Sequence, residues 1–203
     1  LHNLWDGETH DYTRKGGVIL SEIMLPEHTP ERFFDRSTLW NEVEQVEKNY
    51  NAQLAYSFDM ALQNEFSLEE NIELAREFIQ KYFVSDGMIA DLAIHKPDRY
   101  EGGNPNPHFH VLVPIRPLNA DGTWGVKQRR EYHLDENGSR IKKENGGWEF
   151  DAVSTTNWGK PETLDMWREA GADMVNDKFR EKGLDCRIDH RSYVDQGLEI
   201  GRA

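Results

Sequence analysis

Alternation of apolar and polar residues in four segments predicts the strands of an antiparallel sheet. These segments are residues 18–25, 54–62, 88–95 and 108–115. In the second segment every other residue from Leu54 to Leu62 is apolar, whereas the residues between them are small or polar. Because successive side chains of a strand point to opposite faces, such a strand has one core face and one polar face. The pattern therefore predicts an α+β fold built on an antiparallel sheet.

Three amphipathic segments with recognisable ends predict helices. Ser37 precedes the first segment, and Ser67 with Glu70 forms a capping-box pattern before the second. The third is expected to begin near Pro161 and to end at Gly183, because proline favours the first helical turn and glycine favours the position after the last. The apolar stripes of the first two helices predict that both pack on the apolar face of the sheet.

Between residues 117 and 159 the apolar pattern weakens and the local charge changes. Gly, Asn and Asp cluster at residues 119–122 and 135–138, and the second cluster predicts a hairpin turn. Residues 126–143 carry a net charge of +3, although the whole chain carries −13. The overall charge argues against a nucleic-acid partner, since phosphates are bound by Lys and Arg, but this local excess leaves such a partner open.

Length and composition favour a single cytoplasmic domain over residues 1–203. A chain of 203 residues with 37% hydrophobic residues is long enough for one core. Cys186 is the one cysteine, so an intramolecular disulfide is excluded and a reducing compartment fits. No apolar run reaches the length of a membrane span, and residues 1–10 lack a signal-peptide pattern. We therefore expect no membrane insertion.

The candidate chemistry lies in the last two predicted strands. His108 and His110 are two residues apart, so their imidazoles share the face opposite the core. His95 ends the preceding strand and joins them if the two strands are antiparallel neighbours. Asp59, on the polar face of the second strand, could orient a ligand imidazole or accept a proton. The alternative is an ordinary solvent-facing pair of histidines.

Three histidine ligands would leave coordination positions open, as in catalytic rather than closed structural metal sites. The nitrogen donors alone favour zinc, iron, nickel or copper over magnesium. The sequence therefore predicts a catalytic centre with a divalent ion, for which Zn²⁺ or Ni²⁺ suits the ligands.

Three motifs in the same order resemble the MobA/MobL-type conjugative relaxases, a branch of the HUH endonucleases. They are HDYTRKGGV at residues 10–18, AIH at 93–95 followed by NPHFH at 106–110, and RIDHRSY at 187–193. The resemblance implies an antiparallel sheet of up to five strands, with helices on one face and the metal site on the other. It also implies that His95, His108 and His110 bind Mn²⁺ or Mg²⁺, with Asp59 as an acidic residue of the active centre.

The resemblance further implies nicking and rejoining of single-stranded DNA at a plasmid origin of transfer through a phosphotyrosyl intermediate. Relaxosome accessory proteins and coupling proteins are the other expected partners. The family's nucleophilic tyrosine precedes the first motif, so it is expected upstream of Leu1, with Tyr12 as the nearest substitute. Residues 1–203 are then expected to be a relaxase-like catalytic domain that lacks parts at both ends.

Five further residues are candidates for contacts with nucleic acid. Aromatic and basic groups that could stack on bases and neutralise phosphates occur together at Trp124, Lys127, Arg129 and Arg130. Arg191 belongs to the last of the three motifs. An ordinary exposed hairpin remains the alternative for the first four residues, and a structural link to the sheet remains the alternative for Arg191.

Three other functions remain open on the sequence. The first is a metal-dependent hydrolase of a small substrate, which would use metal-bound water with Asp59 as general base. The second is a replication initiator of the rolling-circle type, which shares the metal chemistry. The third is a DNA-binding module without catalytic activity. Net acidity favours the hydrolase slightly.

Overall fold

The computed structural model describes residues 2–9, 17–95 and 107–198. Within these ranges the strands are β1 (Val18–Met24), β2 (Ala55–Ala61), β3 (Ala90–His95), β4 (His108–Pro114), β5 (Gln128–Tyr132) and β6 (Phe150–Ser154). The α-helices are α1 (Arg36–Gln45), α2 (Leu68–Tyr82) and α3 (Pro161–Glu181). Short 3₁₀ helices occur at Glu31–Phe34 and Val84–Asp86.

The first four strands form one antiparallel sheet with the order β1-β3-β4-β2. Each lies within one of the four segments predicted from the alternation of residues. Strands β5 and β6 pair with each other in a separate two-stranded sheet. The described residues thus place four strands in the main sheet, whereas the family resemblance implied up to five.

One face of the main sheet is covered by α2 and α3. The ring of Phe58 in β2 contacts Phe83 edge-on at 5.5 Å and Trp167 of α3 at 5.0 Å, measured between ring centroids. Leu92 of β3 and Val111 of β4 lie beside these rings with no exposed surface. This layer is the main core, and it confirms the apolar face predicted for the strands.

Helix α1 lies on the opposite face, so the prediction that the first two helices share one face is wrong. Leu39 and Val43 of α1 pack in a second core with Ile23 of β1. Ile23 lies directly opposite Asp91 of β3, and Asp91 shares its strand face with His95. The helix therefore covers one end of the histidine-bearing face. The apolar stripe of a helix predicts that the helix is buried, but it does not predict which surface covers it. On the histidine-bearing face, Ile23 supplies the apolar surface on which α1 packs.

The helix ends agree with the sequence at three of four positions. Ser67 and Glu70 form the expected capping box at the start of α2. Helix α3 begins at Pro161 and is followed by Gly183, whose φ of +67° is favourable for glycine. The N-cap of α1 is Asp35 rather than Ser37, since the Asp35 carboxylate accepts the Thr38 amide at 2.7 Å. None of the helices in these ranges is long and apolar enough to cross a membrane.

Residues 126–155, called the meander below, extend beyond the main sheet. Tyr132 of β5 pairs directly with Phe150 of β6, and single bridges join Leu134 to Arg140 and Lys142 to Trp148. Residues 135–138 form the predicted turn, where the Gly138 amide donates to the Asp135 carbonyl at 3.0 Å. This region is built mainly from short-range pairing, which explains its weak apolar pattern.

Candidate functional site

Three histidines lie close together at one end of the two central strands of the main sheet. His95 of β3 lies directly opposite His108 of β4, and His110 lies two residues further along β4 on the same face. The ring centroids of His95 and His108 are 5.5 Å apart, and that of His110 lies 4.9 Å from the first and 4.8 Å from the second. The structure therefore brings together the three histidines that the sequence singled out.

Asp59 is the acidic neighbour of this cluster. It lies opposite His110 in the β2–β4 pairing, and its Oδ1 contacts His110 Nδ1 within hydrogen-bond distance. Because an ionised carboxylate can only accept, the Nδ1 atom is the donor in this pair. In a neutral ring with this contact, Nε2 carries the lone pair and is the atom left to bind a cation. Asp59 thus orients the His110 ring.

The spacing of the rings fits a divalent cation. An imidazole nitrogen lies roughly 2 Å from a bound zinc ion, so three ligand rings around one ion have centroids about 5 Å apart. The three observed centroid distances, 4.8 to 5.5 Å, agree with this value.

The ring planes as they stand do not yet converge on one point. The planes of His95 and His108 differ by 4°, and that of His110 is nearly perpendicular to both. In this orientation, no group of three or more His, Cys, Asp or Glu side chains within the described ranges is arranged to hold a metal ion. Rotation about χ2, a broad torsion for histidine, is the adjustment that binding requires.

A buried carboxylate links α1 to the histidine-bearing strand. Asp91 of β3 accepts hydrogen bonds from Arg36 Nε at 2.8 Å and Nη2 at 2.6 Å, and from Trp40 Nε1 at 2.8 Å. The pKa of Arg36 is raised, chiefly by its hydrogen bond to Asp91. Sequence analysis missed this contact because the partners are 55 residues apart. An acidic residue within an apolar strand was the available signal.

Two of the candidates for DNA contact lie at the base of the meander. The Trp124 ring is half-buried and packs 5.4 Å from the ring of Phe33. Lys127 Nζ lies 2.8 Å from Glu47 Oε1, which Arg116 Nε also contacts at 2.7 Å. Burial is the largest single influence and raises the pKa of Glu47, but the hydrogen bonds and charges of Arg116 and Lys127 together bring it below its ordinary value. These interactions tie the meander to the end of β4.

Arg129 and Arg130 lie on opposite faces of the meander, because neighbouring residues of a strand alternate. Arg129 pairs with Glu131 at 2.7 Å, whereas the Arg130 guanidinium lies 4.6 Å from the centroid of the Phe150 ring. The face of Arg130 carries two more cations over aromatic rings, Arg140 over Tyr132 at 3.8 Å and Lys143 over Phe150 at 5.6 Å. We call this the basic face of the meander.

The other face of the meander is acidic. His133 Nε2 lies 3.0 Å from Asp151 Oδ2, and His133 Nδ1 lies 3.5 Å from Glu149 Oε2. The pKa of His133 is raised above its ordinary value, first by the hydrogen bond to Asp151 and then by the charge of that carboxylate. Glu131 and Asp151 face each other across the strand pair. Arg129 therefore lies among carboxylates.

Arg191 is held by a carboxylate of its own segment. Its guanidinium pairs with Asp189 at 2.6 Å, and this hydrogen bond lowers the pKa of Asp189 to about 2. Tyr12, with the rest of the first motif up to Gly16, lies outside the described residues.

The chain is similar to proteins of conjugal transfer and mobilisation. Residues 1–201 match the family model described as the MobA/MobL family. The chain is 32% identical to the conjugal transfer protein TraA of Agrobacterium fabrum, over 96% of its own length and 18% of that protein. It is 34% identical to a probable mobilization protein MobA of Bifidobacterium longum, over 98% of its length and 37% of that protein. The chain thus spans much less than half of these relatives.

A solved structure has a similar fold. It is described as the molecular basis of vancomycin resistance transfer in Staphylococcus aureus, and one of its chains matches with a TM-score of 0.73 and 32% identity. The match covers 94% of the present chain and 84% of that chain.

Proposed function

The chain belongs to the MobA/MobL family, and from this premise we propose that it contains the catalytic centre of a plasmid mobilisation relaxase. The proposed reaction is the nicking and rejoining of one DNA strand at an origin of transfer. The observation that carries the proposal is the close approach of the rings of His95, His108 and His110 at one end of the two central strands. The names of the relatives support this function over a small-molecule hydrolase and over a replication initiator.

The three histidines would hold a divalent cation, and Asp59 would keep the Nδ1 proton on His110. Family resemblance favours Mn²⁺ or Mg²⁺, whereas three nitrogen ligands also suit Zn²⁺ or Ni²⁺. The cation would supply stabilisation of the charge that develops on the scissile phosphate. The Asp59 side chain retains 63% of its accessible surface. The centre is therefore open to a large substrate such as a DNA strand.

In the proposed reaction a tyrosine hydroxyl attacks the phosphorus atom. A bond forms between phosphorus and the tyrosine oxygen, which gives up its proton to solvent. The bond to the 3′ oxygen breaks, and that oxygen takes up a proton from solvent and leaves as a 3′-hydroxyl. The phosphotyrosyl bond retains the energy for the reverse step, in which the 3′-hydroxyl attacks and the strand is rejoined. Tyr12 is a candidate for this nucleophile within the printed sequence.

The basic face of the meander would contact the DNA backbone. Arg130, Arg140 and Lys143 cover the rings of Tyr132 and Phe150, so these rings are less available to stack on bases. The cations themselves are suited to bind phosphates. We propose no such contact for Arg129, which lies on the acidic face and pairs with Glu131.

The test uses the full-length encoded protein and labelled single-stranded oligonucleotides that tile the DNA flanking its gene. With Mn²⁺ we expect cleavage at one position and a protein-linked fragment on a denaturing gel. His108→Ala should abolish both, whereas His133→Ala, which changes the histidine on the acidic face of the meander, should retain them. Cleavage by the His108→Ala variant at the wild-type rate would refute the proposed centre.

A further inference from the structure

The histidine-bearing face of the sheet is arranged in rows that run across the strands. The row of His110 includes Ser21, Ala93 and Asp59, which are its neighbours on the other strands. The next row towards α1 consists of Ile23, Asp91, Leu112 and Ser57. Adjacent rows are two residues apart along each strand, which corresponds to about 7 Å. This is a distance that one nucleotide of an extended strand can span.

Leu112 is the exposed apolar residue of this second row. It retains 39% of its accessible surface, whereas Val111 and Val113 on either side have none. Its neighbours in the row are polar, since Asp91 and Ser57 lie opposite it. Leu112 therefore lies on the same sheet face as the second core, two residues beyond His110, but it belongs to neither core.

Two carboxylates lie near Leu112. Asp91 is paired with the Arg36 guanidinium, and Asp59 contacts the His110 ring. A phosphate would therefore gain little attraction from this part of the sheet. A neutral ring with an apolar face would gain from contact with Leu112, because that contact removes apolar surface from water.

We propose that Leu112 contacts the nucleobase next to the scissile phosphate and so contributes to base selectivity at the nick. The inference rests on the proposed function, since the phosphate must lie at the histidines for its neighbouring base to reach this row. Leu112 positions one base; the cation site positions the phosphate. Leu112 is already more than half buried in the free protein. Contact with a base would complete its burial and should strengthen binding of the DNA strand about three- to eightfold.

The experiment separates contact with bases from contact with the backbone. The full-length protein is titrated with two fluorescent probes of equal length, a ten-nucleotide oligothymidylate and an oligomer of ten abasic tetrahydrofuran units. Wild-type protein should prefer the first probe. Leu112→Ala should lower the affinity for oligothymidylate about three- to eightfold and leave the affinity for the abasic probe unchanged.

Leu68→Ala is the matched control. Leu68 is the first residue of α2 and is 44% exposed, so its truncation changes a similar amount of exposed apolar surface away from the histidines. This variant should keep the wild-type preference for oligothymidylate. Leu112→Gln, which keeps the length of the side chain, is a second variant in case the alanine variant folds poorly, and it should also reduce the preference.

The outcomes distinguish this inference from the proposed function. An unchanged preference in both Leu112 variants, or an equal loss for both probes, would overturn the contact with a base. If the Leu112 variants still cleave the tiled oligonucleotides as wild type does, the proposed function stands without the contact between Leu112 and a base. If the wild-type protein neither binds the probes nor cleaves the tiles, both proposals fail.

Discussion

Replacing Asp59 by asparagine tests whether this carboxylate prepares His110 to bind a cation. Asparagine has nearly the same size and can still accept a hydrogen bond from Nδ1, but it removes the negative charge beside the ring. Loss of such a partner typically weakens metal binding about 10- to 100-fold. The Asp59 side chain is 63% exposed, so solvent screens its charge and we expect the lower end of this range. The expected loss is about tenfold, or ~1.4 kcal/mol.

The assay is calorimetric titration of the full-length protein with Mn²⁺, and the chain offers a matched control. Asp151 also pairs with a histidine, His133, at 3.0 Å, but on the acidic face of the meander. Asp151→Asn should therefore leave Mn²⁺ affinity unchanged. If Asp59→Asn binds Mn²⁺ as tightly as wild type, or if the control loses as much, Asp59 does not act through His110.

Three other substitutions test separate parts of the structure. Asp91→Ala leaves a partly buried arginine and a tryptophan without their shared acceptor, so the free energy of unfolding measured in urea should fall by about 2–4 kcal/mol; an unchanged value would contradict this role. Arg130→Ala should weaken oligonucleotide binding and reduce the slope of log affinity against log salt by about 1, whereas Arg129→Ala should change neither. The pKa of His133, followed by NMR, should lie above 6.5 and fall in Asp151→Asn. Because this pKa is raised in the fold, the contribution of the pair to stability is complete below the unfolded-state pKa and is lost as the pH rises through the folded-state pKa.

The sequence was sufficient to predict the main sheet and the convergence of the histidines. Strand alternation depends on local periodicity, and the segments around Phe58 and Phe109 have apolar residues at every second position on one face. The start of α2 and the end of α3 could also be predicted, because the capping box at Ser67 and the glycine at residue 183 are signals that act within one helical turn.

The face covered by α1 could not be predicted, because it depends on contacts between distant segments. Leu39 and Val43 required an apolar partner, and both sheet faces offered one at this end. The pair of Arg36 with Asp91 selects the second face, and it is not visible in any local pattern. The different surroundings of Arg129 and Arg130 could not be predicted either, because a run of basic residues does not indicate which face of a strand each residue occupies.

The main core and the candidate site are coupled by the pleat of β4. Phe109 lies between His108 and His110 in the chain and is 2% exposed in the main core, on the face opposite the histidines. A slip of one residue in the pairing of β4 would move Phe109 to the open face and the histidines into the core, at the cost of burying two imidazoles without partners. The packing of α2 and α3 against Phe109 and Val111 therefore stabilises the register that places His110 beside Asp59. The residues that secure the chemistry lie largely on the other side of the sheet.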